Sequence, residues 1–549
     1  MFASNPAAAA NLLHIFQNTD KSSLPLNIEN AINSFISLPN HSTTSISIKV
    51  IYSFGRFLRS SFTKSNVGIS ESSLIDMFHL ITDLTNDFEF ENKCDAAGVL
   101  DDFLLLLPLV ASQTSEPAAP GSETSAYTCA LLVAFLDTLS NLTTSTEHAA
   151  KALRSDVLIH ACNILEQYRV PKVAWEKVPG TVSIKGVDGE DDDEEEEDTD
   201  VTTAVVSLIR NLSAGPHSMR PLLAAAGCIT PLVALVGEVR YDAPVTSDIL
   251  ATLLNISTHD ASDTVLTANH TLSTLIECID NSHSALKMME EMALDVNVKE
   301  EEVLQIEEIG NDEEEEEEEE VQAALTSIEL ALRTVRNMCA NEHNAVEVCT
   351  PPSLKILLDA LIISSKNAIT QNEITQNGIT NNAITQNAMT KNAMRANVTQ
   401  SASMVLENVA TFADQDRCFL LIEMGVVEHL VTVIGSGTSE AKGAAADALV
   451  SLMLVDDRNT IQGIIARGMG GSMLVSMLEL RKVERLAREE ESESEEEESS
   501  EEEEEEDGDD GDENDNDENE IYQMVGRGEL KTEEEMNAVA FGSSITVKR

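Results

Sequence analysis

The sequence predicts an all-α chain of stacked helical repeats, and three observations predict it. A short anchor closes one apolar helical pattern after another: Asn141-Leu142-Thr143, Asn211-Leu212-Ser213, Asn255-Ile256-Ser257, Asn337-Met338-Cys339 and Asn408-Val409-Ala410, with weaker copies at Asp83-Leu84-Thr85 and Ser451-Leu452-Met453. A turn-forming residue follows each anchor after 14 to 17 residues: Gly98, Asp156, Gly227, Asn269, Pro352, Gly425 and Gly468. Where nothing intervenes the anchors return after 44 residues (Asn211 to Asn255) or 43 (Asn408 to Ser451). Self-similarity at a fixed period of this length marks a solenoid, in which each unit packs only on its neighbours.

The unit is clearest over residues 201–237, where an apolar helix ends at Asn211-Leu212-Ser213, a short segment leads to Gly227, and a second apolar helix follows. Gly, Asn and Asp tolerate the left-handed backbone that ends a helix, and Pro blocks continuation. Thr230-Pro231 after the turn reads as a cap followed by proline at the first helical position.

With its turn glycine before the second helix and Asn near the end of the third, this unit resembles the armadillo (ARM) repeat family. The resemblance implies a right-handed α-α superhelix, here of about seven repeats, which binds proteins rather than catalysing a reaction. It places the solenoid at 71–488, after an atypical helical cap at 1–70 that lacks the anchor and turn.

Four anchor intervals are longer than the basic period, and the excess matches insertions at 112–124, 171–200, 283–320 and 366–397. All four fall after the post-turn helix and before the anchor helix, and all are expected to be disordered loops leaving the same edge of the solenoid. The insertion at 366–397 is a five-residue repeat, from KNAIT to KNAMR, whose period suits neither helix nor strand and reads as low complexity. The solenoid is followed by an acidic disordered tail at 489–520 and a segment at 521–549 with one short helical pattern over 532–541.

The formal net charge is −61, but half of the 96 acidic residues lie in three runs at 188–200, 300–320 and 489–520, none containing Lys or Arg. The helical body is therefore only moderately acidic. The two internal runs sit two repeats apart on one edge, about 20 Å from each other at ~10 Å per stacked helix. A surface of this sign excludes direct nucleic-acid binding, because phosphates require positive charge. The longest apolar stretch, 103–111, is interrupted by Pro108 and far short of a membrane span. The first residues have no basic segment ahead of an apolar one, so a cytoplasmic or nuclear protein with no membrane partner is expected.

The eight cysteines are scattered through helical patterns with no CxxC pair and no zinc spacing, which reads as buried reduced thiols. No phosphate loop, HExxH, GxSxG or Ser/His/Asp set is present, so no enzyme, cofactor or metal is expected.

The candidate binding residues are the anchor asparagines Asn141, Asn211, Asn255, Asn337 and Asn408. In ARM proteins the matching Asn lines the concave groove and holds the backbone of an extended peptide; the alternative is that it bonds the repeat's own backbone. The importin-α type adds Trp four residues before each Asn, whereas this chain has Asp137, Ser207, Ala251, Arg333 and Met404 there, which argues against an import receptor of that type. The single tryptophan, Trp175, beside the first acidic run is a docking motif or a loop anchor. Ser492, Ser494, Ser499 and Ser500, each with Glu three residues on, suit an acid-directed kinase.

Taken together the reading is a scaffold that holds a protein partner along the ARM groove. The alternatives are an acidic escort for a basic client, such as a ribosomal protein or histone, and a regulator of a folded partner, such as a G-protein or a chaperone. Nothing in the sequence fixes the oligomeric state.

Overall fold

The computed structural model describes residues 71–85, 94, 97–114, 129–168, 193–239, 244–300, 311–363 and 382–467 except 457, with several positions between 474 and 485. The cap at 1–70, Trp175, the four tail serines, the acidic tail and the segment 521–549 lie outside them. Contacts divide the chain into the units Met1–Leu478 and Glu479–Arg549, and the repeats occupy the first.

Nineteen α-helices and no strand occur among the described residues. In chain order they are α1 (Glu71–Thr85), α2 (Val99–Thr114) and α3 (Cys129–Leu142), then α4 (Thr146–Leu153), α5 (Val157–Gln167) and α6 (Asp193–Ser213). The next repeat is α7 (Pro221–Ala225), α8 (Ile229–Glu238) and α9 (Pro244–Ser257), followed by α10 (Asp263–Ala268), α11 (Thr271–Glu300) and α12 (Asn311–Met338). The last are α13 (Glu342–Val348), α14 (Pro351–Ile362), α15 (Asn382–Thr411), α16 (Gln415–Glu423), α17 (Val426–Ser436), α18 (Ser439–Val455) and α19 (Thr460–Arg467).

Three layers result. Each anchor helix packs on the next, in the order α1, α3, α6, α9, α12, α15, α18. The post-turn helices form a second row, α2, α5, α8, α11, α14, α17, in which each again meets its successor. The short helices α4, α7, α10, α13 and α16 join an anchor helix to the next post-turn helix. This is an armadillo-type repeat fold, and one continuous apolar core runs between the rows. Its N-terminal part is sealed by Phe78, Phe103 and Phe135, from α1, α2 and α3, whose rings lie 5.0 to 5.7 Å apart and are fully buried.

The turns follow the sequence in part. Gly98, Gly227 and Gly425 adopt φ of +70°, +84° and +81°, the region a side chain disfavours. At the fourth turn the left-handed residue is His270 (φ 55°), one place after the expected Asn269. Asp156 keeps φ −75°, and at the fifth turn Thr350 precedes Pro351 at the start of α14. Helix α8 starts at Ile229, two residues earlier than the Thr230-Pro231 reading, so Thr230 is free to donate to Asn269 Oδ1 at 2.6 Å. Proline at the third helical position removes an N–H that has no partner within the helix anyway.

Helices border the expected insertions and extend into parts of them. Helix α6 begins inside the insertion 171–200, α11 and α12 together cover 271–300 and 311–338 of the insertion 283–320 and its flanks, and α15 starts at Asn382 within 366–397. Helix α2 likewise extends to Thr114, into 112–124. Glutamate is a good helix former, and acidic residues in a first turn favour the positive end of the helix dipole. Arg210 and Arg336 in the last turns of α6 and α12 complement the other end. The last two units of the five-residue repeat, QNAMT and KNAMR, carry Met in place of Ile and lie within α15, Met being the better helix former.

Candidate functional site: the asparagine ladder

All five anchor asparagines sit at the equivalent place near the end of an anchor helix, half-buried, and each reaches back to the preceding anchor helix. Asn141 Nδ2 donates to the carbonyl of Thr82 at 3.4 Å, and Asn211 Nδ2 to the carbonyl and hydroxyl of Ser140 at 3.0 and 2.8 Å. Asn408 Nδ2 donates to the carbonyl of Arg336 at 2.9 Å. Asn255 and Asn337 instead meet a hydroxyl, Ser213 Oγ at 2.9 Å and Ser257 Oγ at 3.1 Å.

The two classes share one end point. Ser213 donates onward to the Arg210 carbonyl at 2.7 Å, and Ser257 to that of Leu254 at 2.9 Å. Thr82, Ser140, Arg210, Leu254 and Arg336 each stand one residue before an anchor position. Every rung therefore satisfies the same carbonyl, directly or through a serine two residues after the anchor. That carbonyl lies in the last turn of a helix; those of Ser140 and Arg210 also accept a backbone N–H, from Thr143 and Ala214, each at 3.1 Å. Ser140, Ser213 and Ser257 are the residues that sequence reasoning missed. Ser213 and Ser257 are the last residues of the anchors Asn211-Leu212-Ser213 and Asn255-Ile256-Ser257.

Thus the amide nitrogen of each asparagine bonds the preceding repeat rather than its own. An asparagine amide carries a second N–H and a carbonyl oxygen, both able to bond.

The residues four before each rung lie on the same helix face. Asp137, Ser207, Ala251 and Met404 are half-buried, and Arg333 is exposed. The charges along this row are mixed. Arg210 Nε bridges to Asp248 Oδ1 of the next anchor helix at 3.1 Å, and Arg333 pairs with Glu329 at 3.6 Å. Burial raises the Asp248 carboxyl above the ordinary range, an effect the Arg210 charge only partly opposes.

Among the described residues no group of three or more His, Cys, Asp or Glu could hold a metal ion, and no single helix is long and apolar enough to cross a membrane. Seven of the eight cysteines are buried, Cys129 being half-buried. Burial pushes Cys278 and Cys418 up to about 11 and Cys339 up to about 12, values of unreactive thiols.

No family model matches the chain, and no curated protein matches it. Solved structures do. An engineered protein shares 14% identity over 87% of this chain and 98% of its own, with a TM-score of 0.43. Computationally designed armadillo repeat proteins for modular peptide recognition share 17% identity over 63% of this chain and 99% of theirs, at a TM-score of 0.36. A designed armadillo repeat protein in complex with the peptide (KR)4 shares 15% identity over 63% of this chain and 99% of its own, at 0.35.

Proposed function

We propose that the protein is a non-enzymatic scaffold that holds an extended segment of a protein partner along the row of anchor helices. The observation that carries this reading is the ladder itself. Five half-buried asparagines stand at one position of successive stacked helices, each bonded through its amide nitrogen to the helix before it. Stacked helices lie ~8–10 Å apart. An extended chain rises ~3.3 Å per residue, so consecutive rungs match every third residue or so of a bound strand. The remaining amide N–H and oxygen match the backbone groups of such a strand.

A second reading is favoured by a specific observation. The acidic stretches 193–200 and 311–320 are continuous with anchor helices α6 and α12, which flank α9. Acid carried on neighbouring anchor helices would give one edge a concentrated negative field, suited to escorting a basic client such as a ribosomal protein or histone.

Affinity capture of partners with the full chain separates the two. The substitution Ala251→Arg blocks the row four residues from a rung and leaves every ladder bond in place. Loss of partners with it, and retention after deletion of 188–200, 300–320 and 489–520, supports groove binding. The opposite pattern, with partners that are basic and released by salt, supports the escort.

A further inference from the structure

Cys162 and Cys228 bring their sulfur atoms to 2.7 Å of each other in the core. Cys162 lies in α5, and Cys228 is the N-cap of α8, so the two thiols belong to consecutive post-turn helices that pack together. They are 6% and 0% exposed. This contact is shorter than two unbonded sulfurs normally make, and it needs only a small closing movement to reach bonding distance.

We propose that Cys162 and Cys228 form a reversible disulfide that staples two neighbouring repeats. The oxidant class is a small two-electron oxidant, a hydroperoxide or a disulfide. With a hydroperoxide, the Cys162 thiolate attacks the O–O bond to give a sulfenic acid and releases water or an alcohol. The Cys228 sulfur then attacks that sulfur, the S–O bond breaks, and a second water leaves. With a small disulfide such as oxidised glutathione, two exchange steps give the same cross-link and two reduced thiols. Cys162, the slightly exposed member of the pair, is the sulfur the oxidant meets first. Cys228 is held in its protonated form by the hydrogen bond with Cys162 and by burial, so the linkage forms faster as pH rises. Cys418, by contrast, bonds the Leu452 carbonyl at 3.7 Å.

The cross-link would span 66 residues of chain and fix α5 against the start of α8. Those helices belong to the repeats that carry the Asn211 and Asn255 rungs. The proposal stands on the contact alone and does not depend on what the ladder binds.

The test is graded oxidation of the native full-length chain with hydrogen peroxide or oxidised glutathione, followed by alkylation in denaturant and non-reducing peptide mapping. The expected result is one cross-linked peptide pair joining residues 162 and 228, reversed by dithiothreitol. It should form faster in the native chain than in the urea-unfolded chain. The melting midpoint of the linked form should rise by a few degrees, a rise absent from Cys162→Ser and from Cys228→Ser. Recovery of both cysteines as alkylated thiols at oxidant levels that modify Cys129 would overturn the proposal. So would a linkage that appears only once the chain is unfolded.

Discussion

The amide of Asn255 donates to the hydroxyl of Ser213, 2.9 Å away on the preceding anchor helix, and that hydroxyl donates in turn to the Arg210 carbonyl. A carbonyl at the end of α6, which also accepts the Ala214 N–H, is thereby linked through Ser213 to a residue of the next repeat. The same carbonyl position is satisfied at every asparagine rung, so the anchor motif is first a device for joining repeats. Its repetition along one face is what makes it a candidate for holding a partner as well.

Removing either end of this relay should weaken the junction. Asn255→Ala and Ser213→Ala are each expected to cost about 1 kcal/mol, and the double variant less than the two together, because they break one network. Urea titration of the four proteins measures the coupling. Strict additivity would mean that the two residues act separately.

Gly227 tests the turn without a packing change. Its φ is +84°, and a Cβ placed there would meet nothing within 4 Å. Gly227→Ala is therefore expected to destabilise by about 1 kcal/mol through backbone strain alone. Gly237, which has open space and no such φ, should tolerate alanine without loss. Denaturant midpoints of the two variants provide the comparison.

Asp248 predicts a pH dependence. Its folded pKa is raised, chiefly by burial, so its contribution to stability is full below the unfolded value and is lost as pH rises through the folded one. Asp248→Asn should consequently gain stability relative to the parent at neutral pH. The gain should shrink toward zero as pH falls below the usual carboxylate range. A gain that instead grew in acid would contradict the assignment of burial over the Arg210 charge.

Phe135 closes the aromatic cluster with Phe78 and Phe103, and all three are fully buried. Phe135→Ala should cost about 3–5 kcal/mol. The loss should be confined to the first repeats, where hydrogen exchange of α1 to α3 should rise well before that of α15 to α18, since a solenoid couples only neighbours.

The fold was legible because its signals recur. Asn211, Asn255 and Asn408 mark anchor helices that the structure contains, and Gly98, Gly227 and Gly425 turn where a left-handed residue was expected. His270 took the role of Asn269 because the turn shifted by one residue, a change that periodicity cannot resolve. Helices α6 and α12 extend back into acidic stretches because glutamate is a good helix former and each stretch precedes an anchor helix on which it can propagate. At the candidate site the asparagines were visible, while Ser213 and Ser257 were not. A serine two residues on acquires meaning only when the neighbouring helix, some 40 to 80 residues away in sequence, is seen to approach it.

The central claim is that a partner lies along the anchor-helix row. It is tested most directly by photo-crosslinking from an unnatural amino acid placed at Ala251 or Met404, four residues before Asn255 and Asn408, with Ile159 on α5, 52% exposed, as the control. Crosslinks to one protein from 251 and 404, absent from 159, would bear out the claim, with the crosslinked partner residues forming one continuous segment. Crosslinks from 159 alone, or from none of the three while the partner still binds, would contradict it.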